Sequence, residues 1–278
     1  MLALRNGRVL TFGRVPRVMG IVNVTPDSFS DGGVNFDRAV AVDSAMWMIE
    51  DGAAVIDVGG ESTRPGAQPV SIEEEKERVT VVIEEIRRRS DVAISIDTRN
   101  AAVAATALDA GADILNDVTA LRHDPAMAAT AATRKAPVIL MHMRGEPRTM
   151  QELAVYDDVV TDVARELAAL RDAAVGAGVS QESILVDPGI GFAKTYDQNL
   201  ELLARCSEFT RLGPVVIGAS RKAFIGNLTG REAGPARVAG SLAAVEAAFR
   251  GGASLVRVHD VRETVDFLRV LSAIEERR

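Results

Sequence analysis

The sequence predicts an α/β protein, a closed (β/α)8 TIM barrel preceded by an N-terminal β-hairpin, on three observations. Eight short apolar runs recur along the 278 residues. Between them lie stretches with apolar residues at steps of three and four, the spacing of a helix with one buried face. Gly-Ala pairs at Gly52-Ala53, Gly111-Ala112 and Gly252-Ala253 mark returns from helix to strand. Units of about 35 residues nearly exhaust the chain, the rhythm of an eightfold barrel. The expected organisation is one domain over 1–278, with 1–16 as a hairpin extension and no linker. An open doubly wound sheet is the rival, but no GxGxxG follows the first run.

Taken in order, residues 3–12 alternate around Asn6-Gly7, a type I′ turn pair. The eight strands are expected at 18–23, 53–58, 92–97, 112–116, 137–142, 183–187, 214–219 and 254–259. Helical stripes read Ala39, Val42, Met46, Ile49; Val79, Val82, Ile86; Val159, Val163, Leu167, Leu170, Ala174; and Val238, Leu242, Val245, Phe249. Ser71 with Glu74 forms a capping box, and Asp124-Pro125 reads as an N-cap followed by proline at the first helical position. Trp47 falls inside the first helix as a packing residue, and Arg87 to Arg89 read as a solvated helix end.

Composition narrows the classes of function. Hydrophobic residues at 47% suffice for a core, while the net charge of −7, without a basic block, argues against nucleic acid. One cysteine and three histidines exclude a disulfide framework and a Cys/His metal cluster, and a reducing cytoplasm fits that usage. The N-terminus lacks an export signal and no apolar run reaches 18 residues, so neither export nor a membrane span is expected.

In such a barrel the chemistry sits where strands end. Those ends carry Asn23, Asp57, Asp97, Asn116 with Asp117, His142, Asp187, Ser220 followed by Arg221 and Lys222, and Arg257 with His259. Asp57 and Asp117 suit a helix N-cap as well as a ligand site. Asp97 and Asp187 each close an apolar run, where an unpaired carboxylate is costly and N–H donors on a ligand would satisfy it. With Asn116 they suit a planar, nitrogen-rich heterocycle. Arg257 and His259 point the same way, two apart on one strand, and with Lys222 and Arg221 make a phosphate seat. Asn23, on the adjacent strand, suits Mg²⁺ bridging phosphate oxygens. Phe29 stands alone among turn formers in the first loop.

These residues occur in segments that resemble dihydropteroate synthases: MGIVNVTPDSFSDGG from Met19, DVGGESTRPGA from Asp57, SIDT from Ser95, NDV from Asn116, MHMRGEPRTMQ from Met141, DPGIGFAKT from Asp187, ASRKAFIG from Ala219 and RVHDV from Arg257. The matches run in family order from end to end of the chain. The resemblance implies condensation of 6-hydroxymethyl-7,8-dihydropterin diphosphate with 4-aminobenzoate, by a dissociative substitution that sulfonamides inhibit. It implies pterin contacts at Asp97, Asn116, Asp187 and Lys222, and diphosphate contacts at Asn23, Thr63, Arg257 and His259, with Mg²⁺ at Asn23. It puts 4-aminobenzoate against Phe29, Thr63, Arg64, Pro65, Phe192, Ser220 and Lys222. Catalytic roles fall on Asp31, Asp97, Lys222, Arg257 and His259, with the loops 25–35 and 59–70 as lids. A cytoplasmic homodimer, joined through the Ala-rich segment 235–250, is also implied.

Two departures from the family pattern are Ala193, where many members have Gly, and Gln198, where His often stands. A folate-dependent methyltransferase needs neither a diphosphate seat nor an aminobenzoate pocket, so Arg257, His259 and the Ser220-Arg221-Lys222 run argue against it. Non-catalytic pterin-binding relatives lose parts of the first loop and of that run, and this chain retains both.

Overall fold

The computed structural model describes residues 1–24, 34–61, 70–146 and 149–277. Two short strands, β1 (Leu2–Ala3) and β2 (Val9–Leu10), pair antiparallel. The turn is a 3-10 turn over Arg5–Gly7 with only Gly7 at positive φ, closed by the Leu4 N–H donating to Arg8 O, so it is one residue longer than a type I′ turn. Eight parallel strands follow: β3 (Arg17–Asn23), β4 (Val55–Gly59), β5 (Ala93–Asp97), β6 (Ile114–Asp117), β7 (Val138–Met141), β8 (Ile184–Asp187), β9 (Val216–Ile217) and β10 (Leu255–Val258). They pair in the order β8-β7-β6-β5-β4-β3-β10-β9. A bridge between Val186 and Val215, with the Val186 N–H donating to Pro214 O at 3.0 Å, closes the ring and rules out the open sheet.

The returning helices are α1 (Val34–Glu50), α2 (Ile72–Arg89), α3 (Ala101–Asp109), α4 (Met127–Arg134), α5 (Val159–Gly176) and α6 (Tyr196–Ala204), then the short α7 (Ala223–Thr229), α8 (Val238–Arg250) and α9 (Val261–Glu275). Strand residues alternate between two cores, as period two requires. Val18, Ile56, Ile94, Leu115, Leu140 and Val186 face outward into the layer beneath the helices. Met19, Val55, Ala93, Ile114, Ile139, Leu185, Val216 and Leu255 face inward, where Leu2 and Leu10 of the hairpin pack against them and plug the lower end. Asp113 ties that end together, accepting from the Ile94 N–H at 3.0 Å, from Arg87 at 2.8 Å and from Arg8.

Local details correct several expectations. On α1, Ala41, Val42 and Ala45 are buried and Met46 and Ile49 pack against the same core, whereas Ala39 is exposed and Trp47, at 62% exposure, is a surface residue instead of a core one. Ser71 Oγ accepts from Glu74 N, but the Glu74 carboxylate reaches Arg78 instead of completing the box. α4 starts at Met127, two residues beyond Pro125, and Asp124 accepts from Ala126 N and Ala101 N. Arg88 and Arg89 pair with Glu85 in solvent, but Arg87 is half-buried on Gly111 O and Asp113. Gly52, Gly111 and Gly252 do end helices, each at positive φ.

Candidate active site

Above the apolar plug the inward positions turn polar. Register sets Ile21 beside Asp57, Asp57 beside Ser95, Asn23 beside Gly59, Gly59 beside Asp97 and Asp97 beside Asn116. Because parallel partners share a face, these residues line one well. Asp187 enters it from the end of β8 and Arg257 from β10.

The centre of the well is an ion cluster. Arg257 Nε donates to Asp57 Oδ2 at 2.6 Å and its Nη2 to Asp97 Oδ2 at 2.7 Å. Asn116 Nδ2 donates to the same Asp57 oxygen at 3.2 Å. Asp57 is thus neither an N-cap nor a rim residue; it lies fully buried and holds the guanidinium, a role that sequence left open. Its Oδ1 and the Ser95 hydroxyl are buried without a hydrogen-bond partner among the described residues. In Arg257, burial works against the charge, but Asp57 and Asp97 more than offset it and raise the guanidinium above its ordinary range. Burial pushes the Asp97 carboxyl up to about 7, against the pull of Arg257. Asp187 is also raised by burial, opposed by the Gly189 N–H at 2.7 Å and the charges of Lys222 and Arg257. Gly218 stands between Asp187 and Arg257.

At the mouth, Ser220 follows β9 and His259 follows β10. The His259 N–H donates to Ser220 Oγ at 3.2 Å, and that oxygen lies 3.1 Å from His259 Nδ1. Lys222 places Nζ 4.2 Å from the Phe192 ring centroid, a cation over a π-face. Gly191, at φ +83°, lies so close that a Cβ there would sit 3.2 Å from Lys222 Cδ. Phe192 packs beside an apolar cluster of Val118, Met141, Met143, Met150 and Ala193.

Three expected mouth residues do not point into the well. Asp117 falls on the outward face of β6 and receives Thr119 N, Thr119 Oγ and Leu121 N, holding the turn in which Ala120 and Leu121 adopt positive φ. Arg221, at φ 58°, chelates Asp260 through Nε at 3.0 Å and through Nη2, while its N–H donates to Ser241 Oγ. Its charge is therefore committed to the scaffold that presents Ser220 and Lys222. His142 is outward and buried: Lys194 Nζ lies 3.0 Å from its Nδ1, and Glu166 lies 2.9 Å from its Nε2. Burial lowers its pKa to about 4, so the ring is neutral. Lys194 itself escaped the sequence reading, because a lysine in a Gly-rich loop reads as exposed.

Phe29, Asp31, Thr63, Arg64 and Pro65, with most of both expected lids, lie outside the described residues. Asn23, Asp97, Asn116, Asp187, Phe192, Ser220, Lys222, Arg257 and His259 are brought to the well and its mouth. Ala193, the departure from Gly, sits at φ 49°, a left-handed conformation that costs an alanine about 1 kcal/mol. Gln198 completes a capping box with Thr195 at the start of α6.

A family model described as pterin binding enzyme matches residues 19–259. A dihydropteroate synthase of Synechocystis is 47% identical over 264 residues, 95% of this chain and 91% of the relative. The solved structure of Xanthomonas albilineans dihydropteroate synthase with 4-aminobenzoic acid matches with a TM-score of 0.92 at 46% identity, covering 99% of each chain. That enzyme in complex with 7,8-dihydropteroate matches at a TM-score of 0.88 and 45% identity, covering 97% of each.

Proposed function

The chain belongs to the dihydropteroate synthase family of pterin-binding enzymes, and from that premise we propose how its own residues carry the reaction. It is a transferase that joins 4-aminobenzoate to 6-hydroxymethyl-7,8-dihydropterin diphosphate, giving 7,8-dihydropteroate and diphosphate. The observation that carries the assignment of roles is the buried constellation of Asp57, Asp97, Asn116, Asp187 and Arg257 inside one well.

In this reading the pterin lies in the well with ring N–H groups on the Asp97 and Asp187 carboxylates and its polar edge against Asn116. The methylene carbon then points to the mouth. Its C–O bond breaks with the electron pair leaving on diphosphate, and the aniline nitrogen forms the new C–N bond and releases a proton to solvent. Two of the Arg257 nitrogens serve Asp57 and Asp97, leaving Nη1 for the departing oxygen. His259 and Asn23 complete the diphosphate seat, while the carboxylates stabilise the cationic carbon left behind. Lys222 and Phe192 receive aminobenzoate from below, and Ser220 from the side. Sulfonamides, anilines of like shape, compete there. Phe29, Asp31, Thr63, Arg64 and Pro65 join the site on family resemblance.

Mg²⁺ is proposed at Asn23. Among the described residues no group of three or more His, Cys, Asp or Glu could hold a metal, and Asn23 offers a single amide oxygen beside Gly59 and Asp97. That donor set fits a hard cation bound jointly with substrate phosphates and water. When bound, Mg²⁺ neutralises charge on the leaving diphosphate. A homodimer through α8, whose exposed positions include Ala239 and Ala243, is proposed as well, and light scattering should report twice 29.6 kDa. We place the enzyme in the cytoplasm; no helix among the described residues is long and apolar enough to cross a membrane.

The test is diphosphate release with Mg²⁺, with and without 4-aminobenzoate. Release is expected only with aminobenzoate; a protein that binds pterin and releases nothing would sink the assignment. A second arm reads the Asp97 carboxyl. Its pKa near 7 in the ligand-free site must fall when ring N–H groups bind it, so affinity rises with pH up to about 7 and levels above. The diphosphate-free pterin alcohol should bind about tenfold more weakly at pH 6 than at pH 8, one pH unit on the protonated side being one decade. Asp97→Asn should flatten that profile, and a flat wild-type profile would remove Asp97 from the ring contacts.

A further inference from the structure

Lys194 is 3% exposed, burial lowers its pKa to about 7, and its Nζ lies within hydrogen-bond distance of three acceptors: His142 Nδ1 at 3.0 Å, Gly189 O at 3.2 Å and Phe192 O at 2.7 Å. The two carbonyls are the ends of one turn, which the Phe192 N–H closes by donating to Gly189 O at 3.1 Å. A single amino group therefore fixes both ends of the segment that carries the Phe192 ring. With Nδ1 accepting, His142 Nε2–H donates to Glu166, which Arg144 holds through Nε and Nη2. As a stability device this is poor, because a buried ammonium against carbonyls and a neutral ring recovers little of its desolvation cost. As a geometric device it is complete. The upper surface of the turn is the Gly191 backbone and the Phe192 ring, and both lie against Lys222.

We infer that Lys194 is a positioning residue: through the turn it holds Phe192 beneath Lys222 and so sets the affinity for 4-aminobenzoate without touching either substrate. The inference rests on the placement of aminobenzoate over Phe192 and Lys222 given above. Loss of the amino group frees the Phe192 carbonyl and lets the ring swing, while Asp97, Asn116 and Asp187 below keep the pterin seat.

Initial rates with both substrates varied test it in Lys194→Met. The aminobenzoate KM is expected to rise about tenfold, with kcat within about threefold and the pterin diphosphate KM within about twofold. Phe192→Ala should raise the same KM, and adding Lys194→Met to it should raise it no further, since the two act through one ring. His142→Leu, which removes an acceptor and keeps the Lys194 side chain, should shift that KM about threefold in the same direction and carries the test if Lys194→Met does not fold. Lower melting temperatures with both KM values unchanged, or effects of Lys194→Met and Phe192→Ala that simply add, would overturn the inference. Failure of the functional reading looks different, because the wild type would then release no diphosphate.

Discussion

Arg257→Met is expected to abolish turnover, by about a thousandfold or more, and to cost about 3 kcal/mol of stability at pH 8. Both effects have one source. The guanidinium neutralises two buried carboxylates, and methionine matches its bulk without its charge. Without that charge the Asp97 carboxyl, already near 7 through burial, must rise further. At neutral pH it then carries a proton and no longer accepts from the pterin ring, so binding fails along with departure of the diphosphate. The sign of the stability change follows. An acid whose folded pKa lies above its unfolded value lends stability at low pH and loses it as pH rises through the folded value. The variant should accordingly be weakest at pH 8 and regain melting temperature toward pH 6, where protonated acids need no counter-charge. Thermal melts from pH 6 to 8 beside kcat/KM check both halves; a destabilisation independent of pH would mean that the carboxylates are compensated elsewhere.

Lys222→Ala is the second large effect, about 3 kcal/mol in transition-state stabilisation or a hundredfold in kcat/KM. Lys222 faces two ways. Its charge opposes the raised pKa of Asp187 in the well, and its ammonium covers the Phe192 ring at the mouth. Truncation should therefore weaken both substrates, unlike a change at Phe192 alone. The fold should hold, because the adjacent Arg221–Asp260 pair and the Arg237 bonds to the Arg221 and Lys222 carbonyls remain. Separate KM determinations decide the point: an effect confined to one substrate would assign Lys222 to that site only.

Asp97 and Asp187 are legible in the sequence because each stops an apolar run, and the same alternation makes Arg257 and His259 visible as a pair. Asp57 is not. Two residues before the end of its strand, it looks like any junction carboxylate, and its meaning comes from a guanidinium 200 residues away in the chain. The opposite failure occurs at Arg221 and His142, which stand at strand ends and yet turn away. One obeys a left-handed backbone, the other the parity of its strand, since Met141 pairs inward with Asp187. Apolar runs mark the strands to within two residues, whereas on α1 the buried Ala41 and Ala45 are too small to stand out beside Val42, Met46 and Ile49, which do pack against the core.

The hairpin at the bottom has a consequence for traffic. With Leu2 and Leu10 seated among the lowest inward side chains, the described residues make the barrel a blind well, closed at its lower end. Whatever reaches the depth of Asp57 and Asp187 enters past Lys222 and His259 and departs by the same door. A guest at that depth cannot leave before the one lying above it.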